Sequence, residues 1–188
     1  LMDRAAQPVL LTEILRALQS AHPAWDEIVL GGVSSASLGA LEAAGLKVET
    51  DRLSPDFAVD LSQNWEDHLS ANQRAQLRQS RAFAERSGPL TLEPAAGTAQ
   101  ALDFFGKLAG LHTAYWQKRG RPGAFASEFS RGFHRELISA ADGPAKVELL
   151  ELAAGPEILG YLYNFQHGGR VYNYQSGFSY SQDNRHRP

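Results

Sequence analysis

Cysteine is absent from the 188-residue sequence, which excludes disulfide bonds, thiolate nucleophiles and thiolate metal ligands. Apolar runs long enough to span a bilayer, about 20 residues, are also missing, and residues 1–4 do not begin a signal-peptide core. The net charge of −3 at pH 7 argues against a nucleic-acid partner, because nucleic-acid-binding domains are usually basic. We therefore expect a cytoplasmic protein that has no membrane span and binds no nucleic acid.

Motifs for common cofactors are scarce as well. The sequence contains no GxGxxG, P-loop or GxSxG motif, which removes the usual grounds for a dinucleotide-binding fold, an NTPase or an α/β-hydrolase. Its six histidines include no pair at metal-ligand spacing: His22, His68, His112, His134, His167 and His186. We predict no metal site.

The densest β pattern lies between residues 145 and 181. Branched and aromatic residues there form three runs, 147–152, 158–165 and 171–178, which Gly155-Pro156 and Gly168-Gly169 separate. This pattern predicts a three-stranded antiparallel meander. Strict alternation along its third strand would place Tyr172 and Tyr174 on one face, and Asn173 and Gln175 on the other.

Residues 62–144 read mainly as helices. A capping box at residues 70–73 predicts that a new helix starts within the run 62–87, and a short strand follows at 90–93. A long helix is expected over 98–118, and Ser127 is expected to cap another in which Phe129, Phe133 and Leu137 have four-residue spacing. We expect both helices to pack on the meander.

The first 61 residues have a different order of elements. The pattern predicts a helix at 8–19, a strand at 25–33, a helix from near Ser35, and two short strands at 46–50 and 57–61. We therefore divide the chain into segments 1–61 and 62–188.

Arginines form two candidate anion sites. Arg74, Arg78 and Arg81 share one face of the helix within 62–87, and Arg119 and Arg121 lie in the loop after the long helix. Each group is either a solvated surface or a contact for phosphate or carboxylate.

Two other side chains have a structural and a chemical interpretation. His112 borders an apolar helical face, where it is either a core histidine or a general base. Tyr172 and Tyr174 are both candidates for packing in the core. Tyr174 could alternatively donate a proton or orient an acceptor. Trp116 is expected to be a core residue.

The order strand, helix, helix and three strands over residues 89–181 resembles the front half of the GNAT acyltransferase fold. Four segments are similar more narrowly to the CelD-like GNAT family, which is associated with cellulose and exopolysaccharide biosynthesis. They are Trp65 with Leu69, RAQLR at 74–78, HTAYWQKRG at 112–120 and YQSGF at 174–178. The resemblance implies an α/β fold in which helices flank an antiparallel meander.

The resemblance also implies an activity, the transfer of an acyl group from acetyl-CoA or another acyl-CoA to an amine or hydroxyl. The acceptor would be a small molecule or a saccharide, and we also consider a homodimer. Backbone donors of the third meander strand would polarise the thioester, with the cofactor on Gln175, Ser176, Gly177 and Phe178. Tyr174 and His112 would be catalytic, and Arg78, Arg119 and Arg121 would contact substrate.

Two alternatives stay open. Fem-type aminoacyl transferases share the architecture and use aminoacyl-tRNA, and a GNAT-like module can also serve as a non-catalytic binding unit. The resemblance further implies that 1–61 is the back half of a preceding module, that 62–188 is the front half of a second one, and that a pyrophosphate-binding loop starts near Ser181. We therefore expect an incomplete fold at both ends of the sequence.

Overall fold

The computed structural model describes residues 7–31, 37–55, 57–140 and 146–179. Its chain divides into two compact units, residues 1–58 and 59–188. That these units are the back and front halves of two GNAT modules stays a prediction.

The first unit is built on helices α1, Gln7–Ala21, and α2, Leu38–Ala43. Its core contains Leu15 and Leu41, and the Thr12 hydroxyl donates a hydrogen bond of 3.0 Å to the carbonyl of Ala40. The strand predictions for this unit are wrong, because residues 25–31, 46–50 and 57–61 form no strand. Residues 32–36, which include the predicted helix start, lie outside the described residues. Local β propensity fails here because a strand also needs a neighbour with which to form a ladder.

The second unit begins with short helical segments. A 3₁₀ turn at Trp65–His68 precedes helix α3, Ala71–Ala84, and a second 3₁₀ turn follows at Glu85–Ser87. The predicted capping box is confirmed, because the Ser70 hydroxyl accepts from the Gln73 N–H at 3.2 Å and the Gln73 side chain accepts from the Ser70 N–H at 2.8 Å.

A four-stranded antiparallel sheet forms the centre of this unit. The strands are β1, Leu90–Pro94; β2, Lys146–Ala154; β3, Glu157–His167; and β4, Arg170–Phe178, in the order β1-β2-β3-β4. The meander prediction is confirmed, and the strand predicted at 90–93 forms β1, which pairs with β2. Gly168 and Gly169 have φ of 55° and 73°, the positive values that a two-residue hairpin turn requires.

Strand β4 contains a β-bulge at Tyr174. Tyr163 pairs with Gln175, whereas the next residue of β3, Asn164, pairs with Asn173, so Tyr174 has no partner in the ladder. The predicted alternation is therefore wrong for Gln175, because the extra residue moves it to the face that Tyr163 and Tyr174 occupy. Asn173 keeps the opposite face and donates a hydrogen bond of 2.9 Å to the Asn164 side chain.

Helices α4, Thr98–Gln117, and α5, Glu128–Ser139, cover one face of the sheet. The core between them includes Phe105, Leu108, Leu149 and Tyr163. A stripe of Phe129, Phe133 and Leu137 does not form the buried side of α5, since Phe129 is 84% exposed and Phe133 is 54% exposed.

Instead, α5 buries His134 and Ile138. Spacing alone favoured the more apolar phenylalanines, but the sheet supplies tyrosine hydroxyls that satisfy the imidazole of His134. Within the described ranges, no helix is both long enough and apolar enough to cross a bilayer.

Candidate active site

The centre of the candidate site is a buried histidine between two tyrosine hydroxyls. His134 is 5% exposed; its Nδ1 lies 3.2 Å from Tyr163 Oη and its Nε2 lies 3.1 Å from Tyr174 Oη. The rings of Phe105 and Phe125 pack against the imidazole at centroid distances of 5.9 and 5.4 Å. We call these five residues the His134 cluster. Burial lowers the pKa of His134, because a charged imidazole would lose its hydration there.

Phe125 contacts both His112 and Tyr174, the two residues that the sequence predicted to be catalytic. Its ring is fully buried and lies 5.1 Å from the His112 ring and 6.4 Å from the Tyr174 ring, between centroids. The loop between α4 and α5 holds it there, because the Arg131 guanidinium donates hydrogen bonds of 2.7 and 2.8 Å to the carbonyls of Phe125 and Ala126. The fold therefore brings His112 and Tyr174 to one ring, although 62 positions separate them in the numbering.

The hydrogen bond from Trp116 determines which ring nitrogen carries the proton of neutral His112. Trp116 Nε1 donates to His112 Nε2 at 2.9 Å, and because an indole N–H can only donate, that imidazole nitrogen must carry the lone pair. The proton of the neutral ring therefore lies on Nδ1. His112 would have to lose its bond to Trp116 before Nε2 could act as a general base.

The Nδ1 atom of His112 is buried and has no hydrogen-bond partner of normal geometry among the described residues. A Cβ at Gly123, where φ is 77°, would lie 3.2 Å from this atom and 3.2 Å from the Trp116 ring, so a side chain at this position would crowd both rings. Burial lowers the pKa of His112, and a polar contact from the Gln175 side chain partly opposes that shift.

Tyr174 is the member of the His134 cluster that solvent reaches. Its phenol contacts His134 from the bulge, yet 39% of the residue remains exposed. Burial raises the pKa of Tyr174, and it raises the pKa of the fully buried Tyr163 well above the ordinary range. Both phenols are therefore protonated at neutral pH.

The four predicted cofactor residues lie at the end of β4 that follows the bulge. β4 is an end strand of the sheet, with no further strand beside it in the described part of the chain. Gly177 faces α4, Ser176 is opposite Leu162, and Phe178 is opposite Gly160 on the other face. Contact between this segment and a ligand beside the sheet would therefore involve mainly the backbone.

The predicted arginines fall into two places. At the end of α4, the Arg119 guanidinium lies 3.6 Å from the centroid of the Tyr115 ring, and that of Arg121 lies 5.9 Å from the Trp116 ring. Through Trp116, which bonds His112, this pair borders the candidate site.

Arg78 instead lies exposed on α3, where no hydrogen bond or ring contact among the described residues joins it to the His134 cluster. Its neighbours in the stripe have partners, since Arg74 donates to the Leu69 carbonyl and Arg81 pairs with Glu85 at 2.9 Å.

A separate cleft of about 450 Å³ lies between the start of α4 and the start of β2. Its lining contains none of the predicted site residues, and two of its polar side chains, Glu148 and Gln166, are already paired with each other at 2.6 Å. No group of three His, Asp or Glu side chains in residues 7–31, 37–55, 57–140 and 146–179 could hold a metal ion.

The sequence did not identify His134, Tyr163 or Phe125 as site residues. One signal was available for His134, which stands four positions before Ile138 and so shares a helical face with an apolar residue. Phe125 gave no comparable signal, because it lies in an irregular loop.

A sequence model of the family described as Acetyltransferase (GNAT) domain matches residues 71–188, which is more than half of the chain. No curated protein and no solved structure matches. The chain therefore belongs to the GNAT acetyltransferase family, whose members transfer acyl groups and generally take them from acetyl-CoA or another acyl-CoA. The expected α/β GNAT-like fold, with helices beside an antiparallel sheet, is confirmed.

Proposed function

We propose that this protein transfers an acyl group from acyl-CoA to the amine or hydroxyl of a small-molecule or saccharide acceptor, with the reaction at Tyr174. The bulge in β4 is the observation that carries this proposal. It places Gln175 on the same face as Tyr174, the face of the His134 cluster, at the end strand of a GNAT sheet. One half-exposed phenol and one buried N–H donor then lie beside the same strand edge.

The described residues fit the pantetheine arm of acyl-CoA. That arm contains amides, and the backbone of residues 175–178 offers donors and acceptors at an end strand, where an extended group can add by main-chain hydrogen bonds. When bound, acyl-CoA would supply an activated acyl thioester. The loop that the family resemblance assigns to the pyrophosphate starts near Ser181, outside the described residues.

Three groups of the chain would act on the reacting atoms. Backbone N–H groups of β4 would stabilise negative charge on a carbonyl oxygen, as preorganised donors do in other acyl transfers. His112 would serve as a further N–H donor through Nδ1, and Tyr174 would hold a transferable proton at Oη.

Arg119 and Arg121 would contact the acceptor. Their guanidinium groups lie against the Tyr115 and Trp116 rings, and such a combination of flat aromatic surface and N–H donors suits a saccharide that carries hydroxyl or anionic groups. A saccharide acceptor agrees with the CelD-like resemblance and with a role in polysaccharide biosynthesis.

The release of free CoA thiol from acetyl-CoA tests this function. Because the chain contains no cysteine, a thiol-reactive dye reports only the product. Acetyl-CoA would be combined with a panel of amino sugars, neutral sugars and polyamines. We expect acceptor-dependent thiol release, and the absence of release with every acceptor would contradict the proposal. Binding of aminoacyl-tRNA in a parallel filter assay would favour the Fem-type alternative.

A matched pair of variants tests the position of the reaction. Tyr172 and Tyr174 lie on the same strand and are each 39% exposed, but Tyr174 bonds His134, whereas no hydrogen bond or ring contact in the described chain joins Tyr172 to His134. We expect Tyr174→Phe to lower kcat by roughly 10²-fold or more, as loss of general acid–base catalysis does, and Tyr172→Phe to change it less than about twofold. Equal effects of the two substitutions would show that the reaction does not depend on the Tyr174 hydroxyl.

A further inference from the structure

The hydroxyl of Tyr163 restricts the proton on His134. Tyr163 is fully buried, and within the described chain its Oη makes a hydrogen bond to His134 Nδ1 and to no other group. A buried hydroxyl hydrogen that finds no acceptor has lost its hydrogen bond to water without replacement, which destabilises the fold. The Tyr163 O–H must therefore donate to Nδ1, which leaves the proton of the neutral imidazole on Nε2.

The second hydrogen bond of the imidazole then has a defined direction. With its proton on Nε2, His134 donates to Tyr174 Oη at 3.1 Å. Tyr174 has thereby accepted one hydrogen bond from the interior, and its own O–H is free to point to the exposed side of the residue. All three donors therefore run outward, from Tyr163 to His134 to Tyr174.

We propose that Tyr163 and His134 are positioning residues that hold Tyr174 as an outward-facing proton donor. This inference rests on the proposed function for its use in acyl transfer. In that reaction a bond forms between the acceptor nitrogen or oxygen and the acyl carbon, while the carbon–sulfur bond breaks. The departing sulfur takes the proton of Tyr174 Oη, and the proton that the acceptor loses returns to Tyr174 directly or through water, so the chain ends unchanged.

The two buried histidines should therefore carry their protons on different nitrogens. Trp116 leaves the proton of His112 on Nδ1, whereas Tyr163 leaves the proton of His134 on Nε2. The remaining faces of the His134 ring meet phenylalanine rings, so in the described chain Tyr163 and Tyr174 are the titratable groups that face it.

Long-range ¹H–¹⁵N NMR of the full 188-residue chain at pH 7.5 tests this arrangement without any ligand. Signals would be assigned with His134→Gln and His112→Gln variants. We expect the Nε2–H form for His134 and the Nδ1–H form for His112, and Tyr163→Phe should remove the preference at His134 alone. An Nδ1–H or doubly protonated His134 in the wild-type chain would overturn the proposal, whether or not acyl transfer is found.

A pair of substitutions distinguishes hydrogen-bond donation by His134 from a role in packing alone. Gln can present an amide N–H to Tyr174 in place of Nε2–H, but Leu cannot. We expect His134→Leu to raise the pKa of Tyr174 by about one unit or more, measured by NMR of ¹³C-labelled tyrosine, because the phenolate loses a donor. His134→Gln should bring the pKa of Tyr174 most of the way back to its wild-type value.

The two variants should also differ in kcat, which should be at least about tenfold lower for His134→Leu than for His134→Gln. If the two variants have the same Tyr174 pKa, His134 only fills space. If the tautomers and pKa values follow the prediction but no acceptor is acylated, the proposed function fails while the hydrogen-bond chain stands.

Discussion

Adding one methyl group at Gly177 should destabilise the second unit. An ideal Cβ there would lie 2.5 Å from the carbonyl oxygen of Leu108 and 3.1 Å from its Cα, both backbone atoms of α4. Because backbone cannot turn aside as a side chain can, strand and helix must separate, and overpacking of this kind costs about 1–3 kcal/mol. The glycine lies in the predicted cofactor segment, yet the structure gives it a packing reason.

Gly110 provides the matched control. It lies in α4, and outside the backbone of its own helical turns nothing lies within 4 Å of an added Cβ, so Gly110→Ala should stabilise the helix by about 0.5–1 kcal/mol. With a urea m-value of about 2 kcal/mol/M, Gly177→Ala should lower the unfolding midpoint by roughly 0.5–1.5 M.

Near-UV circular dichroism would follow the aromatic core during this titration. A Gly177→Ala variant as stable as the wild type would mean that α4 and β4 do not approach as closely as described. A loss of acetyl-CoA binding with an unchanged midpoint would mean that the glycine serves the cofactor instead.

Three further predictions concern the histidines and one helix end. Trp116→Phe removes the donor to His112 Nε2, so the Nδ1–H preference of His112 should disappear in the NMR spectrum while that of His134 persists. Burial lowers the pKa values of His112 and His134, so the unfolded chain binds more protons in acid than the folded chain does. The free energy of unfolding should therefore be fully retained above pH ~6.5 and decline below it. A variant with Gln at both positions should show a less steep decline. Ser70→Ala breaks the capping box with Gln73 and should cost about 1 kcal/mol in urea unfolding, whereas an unchanged midpoint would show that the cap is not formed in solution.

Much of the sheet could be predicted because its signals are local. Gly168 and Gly169 allow positive φ in one tight turn, and the flanking residues alternate with the period of a strand, so the β3–β4 hairpin followed from about 20 residues of sequence. The capping box at Ser70 was equally local.

The remainder depended on distant partners. Tyr174 is bulged because of how β4 pairs with β3, and no single residue type announces a bulge, so strict alternation misplaced Gln175. His134 is buried because two tyrosine hydroxyls satisfy its ring nitrogens. Those tyrosines lie 29 and 40 residues further along the chain, so the pattern of α5 alone does not reveal them. The predicted strands of the first unit failed for the same reason, since its described residues, 7–31, 37–55 and 57–58, contain no strand with which they could pair.

The position of Phe125 between the two histidines makes them a coupled pair. The imidazole centroids lie 5.1 and 5.4 Å from the Phe125 centroid, so two positive charges there would be at most about 10.5 Å apart and would repel by at least about 1.6 kcal/mol at an effective dielectric constant of 20. That repulsion exceeds one pKa unit, so the first proton to enter in acid hinders the second. The pair should titrate in two separated steps over a wide pH range, and each apparent pKa will belong to the pair and not to a single residue.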